Sequence, residues 1–128
     1  MRVKIDTREK FHVITINESH FAANMTEDMD KRLNSILQND VKNVILDLKD
    51  IQTLDNAAAE WLAKSQEHFY ENNASFVIFG LNENLEKMLD DDALLELLNV
   101  TPTESEAGDI VHMEEIEREL MDGGELMD

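Results

Sequence analysis

The chain has 128 residues, 42% hydrophobic and 31% charged, the balance of one soluble globular domain that buries roughly two thirds of its unfolded surface. Its 11 Lys and Arg stand against 29 Asp and Glu, a formal charge of −18 that repels nucleic-acid phosphates and anionic lipid and steers a basic protein partner inward. It has no cysteine, which excludes disulfides and thiolate metal sites, and no apolar run near the ~20 residues of a membrane span.

Val3 and Ile5 alternate with Lys4 and Asp6, a half-buried strand. Arg8-Glu9-Lys10 is a polar turn, and Phe11 to Ile16 forms a second strand, so the short connection makes an antiparallel hairpin. Asn17 to Asn24 is a polar connection broken by Phe21. Thr26 is the expected N-cap of a first helix, with Glu27 and Asp28 where the helix dipole favours acids. Met29, Leu33, Ile36 and Leu37 give that helix one apolar stripe, ending near Asn39.

Val44 to Leu48 is nearly all apolar, the pattern of a strand buried on both faces of a parallel sheet. After a short loop, Asp55 or Asn56 caps a second helix whose inward stripe is Ala58, Leu62, Ser65 and Phe69. Asn72-Asn73 can take the left-handed conformation that ends it. Phe76 to Phe79 is another buried strand, closed by Gly80. A third helix opens at Asn82 or Asn84 and runs through Leu85, Met88 and Leu89 to the break at Asp90-Asp91-Asp92. Leu94 to Leu98 forms a short helical turn, and Val100 begins a last strand before Pro102. Ile110, Met113, Ile116 and Leu120 define a terminal amphipathic helix from about Glu104 to Met121, weakened at Gly108 by about 1 kcal/mol. Residues 1–121 make a single domain, and 122–128 a flexible acidic tail.

The fold class is α/β: an N-terminal β-hairpin, then alternating β/α units forming a mostly parallel sheet with helices packed mainly on one face. The runs Val44–Leu48 and Phe76–Phe79 nonetheless send apolar side chains to both faces. A terminal segment or a partner must cover the far one, and this leaves room for a homodimer.

The order Leu46-Asp47-Leu48, then Leu54-Asp55 at a helix start, then Phe79-Gly80-Leu81-Asn82, with Val100-Thr101-Pro102-Thr103 before the last helix, resembles the STAS family. These are the sulfate-transporter and anti-sigma-factor-antagonist domains, and the resemblance runs from Val3 to Met121. In that family the helix usually begins Asp-Ser-Ser/Thr-Gly, and its second hydroxyl residue is phosphorylated by a kinase that is also the anti-sigma factor. Aligned on Asp55, the two hydroxyl positions fall at Asn56 and Ala57 and the glycine at Ala58, so the phosphorylatable group is absent. A phosphate there would bring about −2 charges and three acceptor oxygens to the helix start. Alanine brings neither.

The resemblance implies a non-catalytic module that grips an anti-sigma factor or serine kinase through the loop and helix start from Thr53 to Trp61, without phosphorylation control. The alternative it offers is a stabilising subunit on a transporter ATPase. Asp55, Asn56, Ala57 and Trp61 are the candidate partner-binding residues. The residues have a structural reading beside the functional one, and for Asp55 and Trp61 it is the stronger: Asp55 as the helix cap, Asn56 as a second cap, Ala57 and Ala58 as helix formers, and Trp61 as a core residue flanking the inward stripe. The histidines His12, His20, His68 and His112 have no metal-ligand spacing, and no nucleophile motif or Gly-rich phosphate loop occurs. No cofactor, metal, nucleic acid, membrane insertion or enzymatic activity is expected. The N-terminus Met1–Asp6 lacks a secretory apolar region, so the expected location is cytoplasmic.

Overall fold

A computed structural model describes residues 1–126, with side chains described through Met121. The chain runs β1 (Val3–Thr7), β2 (His12–Ile16), β3 (His20–Phe21), α1 (Thr26–Ile36), β4 (Val44–Asp47) and β5 (Thr53–Leu54). It continues with α2 (Asn56–Glu71), β6 (Phe76–Phe79), α3 (Glu83–Asp91), β7 (Val100–Thr101) and α4 (Glu104–Leu126). The tail expected over 122–128 falls where side chains are not described, and its last two residues lie outside the described residues altogether.

Five strands form one sheet in the order β1-β2-β4-β6-β7. β1 and β2 are the antiparallel hairpin, and every later pairing is parallel. Because consecutive parallel strands are neighbours, right-handed crossovers carry α1, α2 and α3 to one face. The register builds rows across the sheet: Ile14, Leu46 and Ile78 align on that face, while Val13, Ile45 and Val77 align on the other. The first row joins a large core with Met29, Leu33, Leu62, Phe69, Leu85 and Leu89.

The second row packs beneath Ala107 and Val111 of α4, together with Phe79. The far face is therefore covered by the chain's own last helix, which removes the reason for expecting a second copy there. Burying both faces explains why β4 and β6 lack hydrophobic alternation.

Two local expectations are corrected. Thr26 is the first residue of α1 rather than its cap; a 3-10 turn over Ala23–Met25 precedes it, and the Thr26 hydroxyl donates to the Ala23 carbonyl at 2.8 Å. The apolar residues Met113, Ile116 and Leu120 face outward from α4, which packs instead through the smaller Ala107 and Val111. Asn73 does take the left-handed conformation (φ 57°) that ends α2.

α4 is held at the sheet's lower end by polar contacts. Asn43, buried just before β4, accepts from the Ser75 N–H at 2.8 Å and donates to the Lys10 carbonyl at 3.0 Å and Glu115 at 2.6 Å. The Arg118 guanidinium turns inward to Asn43 and Ser75. Among the described residues no helix is long and apolar enough to cross a membrane.

Candidate functional site

The site lies beyond the carboxyl ends of β4 and β2, where open α/β sheets present loops. β4 ends at Asp47, whose carboxylate is buried on the sheet. It accepts from the Thr15 hydroxyl at 3.2 Å, the Lys49 backbone N–H at 3.0 Å and the Lys49 ammonium at 2.5 Å. The bond to Asp47 raises the Lys49 pKa above its ordinary value. The chain then turns beneath Gly80, at φ 86°, where an added Cβ would sit 3.0 Å from the Lys49 nitrogen. Only glycine fits so close an approach at that backbone angle.

From there Thr53–Leu54 pairs in parallel with His20–Phe21, setting His20 opposite Thr53. Phe21 and Leu54 point inward and are buried, so His20 and Thr53, one residue earlier on each strand, point out. His20 Nδ1 lies 2.6 Å from Thr53 Oγ1, and His20 Nε2 lies 3.0 Å from Asp55 Oδ1. With the proton on Nε2, the ring donates to Asp55 and accepts from the Thr53 hydroxyl.

Asp55 occupies the N-cap position of α2 with an extended backbone, yet its side chain does not bond back to the helix. The carboxylate turns away, accepting from the Ala23 N–H at 2.9 Å through its other oxygen. That backbone bond, with the His20 bond and charge added and desolvation opposing, lowers the Asp55 pKa below its ordinary 3.8. The expected cap is thus a tie between loops. The opening turn of α2 contains no acidic side chain to offset the positive end of its dipole.

Asn56 and Ala57 are exposed on this first turn and Glu60 just beyond it, whereas Ala58 and Ala59 are buried in the core. Close approach by another surface therefore rests on Ala57 alone. Beside it lies a shallow depression of about 260 Å³ lined by Asn56, Glu60, Asp92 and Leu94.

Trp61 is only 7% exposed, and the exposed anchor considered for it is not found. Its ring meets Phe21 edge-on at 5.5 Å and its indole N–H donates to Asp30 at 2.6 Å, so it belongs to the seam between α1, α2 and β3. Of the four candidate residues, Asp55, Asn56 and Ala57 come together at the loop and Trp61 lies beneath them. Sequence reasoning missed His20 and Ala23. A lone histidine in a polar connection carries no signal, and a backbone N–H carries none at all.

Proteins of known structure share this fold. A putative anti-sigma factor antagonist from Thermotoga maritima superposes with a TM-score of 0.72 at 16% identity, over 86% of this chain and 94% of that one. The Bacillus cell fate determinant SpoIIAA in its phosphorylated form gives 0.63 at 14% identity, over 86% of this chain and 99% of that one. The murine anion transporter Slc26a9 gives 0.64 at 14% identity over 81% of this chain, which corresponds to 18% of the transporter. No curated protein matches the chain. These likenesses establish the fold, and the family model described as STAS domain matches residues 2–107 of the sequence itself: the chain belongs to the STAS domain family.

Proposed function

We propose that this protein is a non-catalytic regulatory module that acts by binding an anti-sigma factor or related serine kinase through the loop Thr53–Asp55 and the first turn of α2. The carrying observation is the exposure of Asn56 and Ala57 at a helix start whose neighbouring loop is fixed by the Asp55 contacts to His20 and Ala23. A docking surface held in one shape loses little entropy on binding. Glu60 and Asp92 beside it suit a basic partner surface, and the chain's charge of −18 speeds that encounter.

Ala57 stands where the family's acceptor hydroxyl is expected and cannot carry phosphate. Binding is then constitutive, controlled by the amount of protein rather than by a kinase. The resemblance to antagonists motivates the choice of partner; the geometry supplies a firm, accessible tip. Titration calorimetry of the cognate anti-sigma factor against wild type, Asn56→Arg and Ala57→Arg tests the reading. Both substitutions are expected to weaken binding by about 100-fold, near 2.7 kcal/mol, with the thermal midpoint kept. Unchanged affinity in both variants overturns the docking site. Stoichiometric phosphate on Thr53 after incubation with the kinase and ATP overturns the absence of phosphorylation control.

A stabilising subunit of a transporter ATPase is the second reading, favoured by the same missing hydroxyl at Ala57. Co-purification with a membrane ATPase, in place of a small soluble kinase, selects it.

A further inference from the structure

α4 spends its larger apolar side chains on the wrong side for packing. Ala107 and Val111 are fully buried against the sheet, while Met113, Ile116 and Leu120 are 58%, 41% and 68% exposed. The spacing i, i+3, i+7 places these three on one stripe, diametrically opposite the buried pair at 100° per residue. Scattered exposed apolar residues are ordinary, but a continuous stripe along one helix marks a surface made to be covered.

The charge around the stripe restricts what can cover it. Glu117 borders one side and Glu119 the other, both exposed, with Asp109 at its N-terminal end. Arg118 is the only Lys or Arg in α4 and is turned inward to Asn43 and Ser75, so it neutralises nothing on the outer face. An anionic lipid surface is repelled, since membrane-lying helices need a basic polar face. A second copy would bring its own acidic border and another charge of −18. A basic helix with its own apolar stripe satisfies both requirements: apolar residues cover the stripe while flanking Lys or Arg meet the glutamates.

We propose that the outer face of α4, Met113–Ile116–Leu120 between Glu117 and Glu119, is a second docking surface that takes a basic amphipathic helix of a partner protein. It lies on the sheet face opposite α2, so two partners can be held at once and the module can act as a bridge. The inference stands whether or not the α2 site binds an anti-sigma factor.

The probe is a fluorescent lysine/leucine peptide of about five amphipathic helical turns, compared with a scrambled peptide of identical composition. Fluorescence anisotropy is measured with the full chain and with a Met113→Ser, Ile116→Ser, Leu120→Ser variant, at low salt and at about 0.5 M salt. The variant keeps the net charge, and an unchanged thermal midpoint certifies its fold. Expected are binding of the amphipathic peptide that weakens with salt, and losses of about tenfold or more from either scrambling or the triple substitution. Amide resonance shifts in the complex should fall on α4. Equal binding by variant and wild type would reduce the effect to charge alone and overturn the proposal, as would no binding or shifts centred on α2. A wild-type dimer in sedimentation that the variant converts to monomer would make a second copy the occupant and overturn it too.

Discussion

Asp55 reaches back across the chain to His20, with Nε2 and Oδ1 3.0 Å apart, although 35 residues separate them in sequence. The contact joins the start of α2 to the segment leading into α1. With the Ala23 N–H on its second oxygen, the Asp55 carboxylate holds the segment before α1 and the start of α2 in register.

The ionised form of Asp55 is thereby favoured in the folded state, first by Ala23 and then by His20. A depressed carboxyl contributes stability above its unfolded value and loses it as pH falls through the folded one, so the contribution declines below the ordinary 3.8. Titration of the Asp55 carboxyl carbon by NMR should give a midpoint below 3.8. In His20→Ala the midpoint should rise only part of the way back, because the Ala23 bond remains. A full return to the ordinary value would show that the imidazole alone sets the shift.

At Gly80 the prediction is a stability loss. The backbone sits at φ 86°, and an alanine Cβ would meet the Lys49 nitrogen at 3.0 Å and its Cα at 3.2 Å. Both neighbours are loop backbone next to the buried Asp47, so relief requires moving the end of β4. Left-handed strain and overpacking together put Gly80→Ala at about 3 kcal/mol of destabilisation. Urea denaturation should show the midpoint fall with little change in slope.

How much of this was legible in the sequence depended on the range of the interactions. The inward stripe Ala58, Leu62, Ser65 and Phe69 of α2 followed from helical period and is buried as expected. The two-faced burial of Val44–Asp47 and Phe76–Phe79 followed from their unbroken apolar runs. Period says nothing about which of two apolar faces a helix turns inward, and for α4 the larger face proved to be the outer one. Asp55 was legible as a helix boundary, because an N-cap is local. Its true partners were not, because the two-residue strands β3 and β5 that bring them together are too short to leave a pattern.

Asn43 ties three elements at the opposite end of the sheet. Its amide accepts from the buried Ser75 N–H at 2.8 Å and donates to the Lys10 carbonyl and Glu115. Truncation to alanine strands the Ser75 N–H and loosens Arg118, which shares the same oxygen. The expected cost of Asn43→Ala is about 2–3 kcal/mol, the penalty of a buried donor left unpaired plus the lost bonds. Hydrogen exchange should locate the damage in α4 and the first residues of β6, with the loop and helix start at Thr53–Ala57 unaffected.

Two residues stand where the opposite choice would be more stable. Ala93 follows α3 at φ 59°, a left-handed position that costs a non-glycine residue about 1 kcal/mol. Gly108 lies inside α4, where an added Cβ would make ordinary contacts of 3.6 Å with the Phe11 ring and helix propensity would gain about 1 kcal/mol. Ala93→Gly and Gly108→Ala are each expected to raise the thermal midpoint, by about 3–5 °C for the helix substitution and somewhat less for the turn, where the freer unfolded chain offsets part of the gain. The sites share no partner, so the double variant should show the sum. If Gly108→Ala instead lowers the midpoint, the Phe11 ring has no room to accept the methyl, and the close fit of α4 on the β-hairpin end of the sheet is the reason for the glycine.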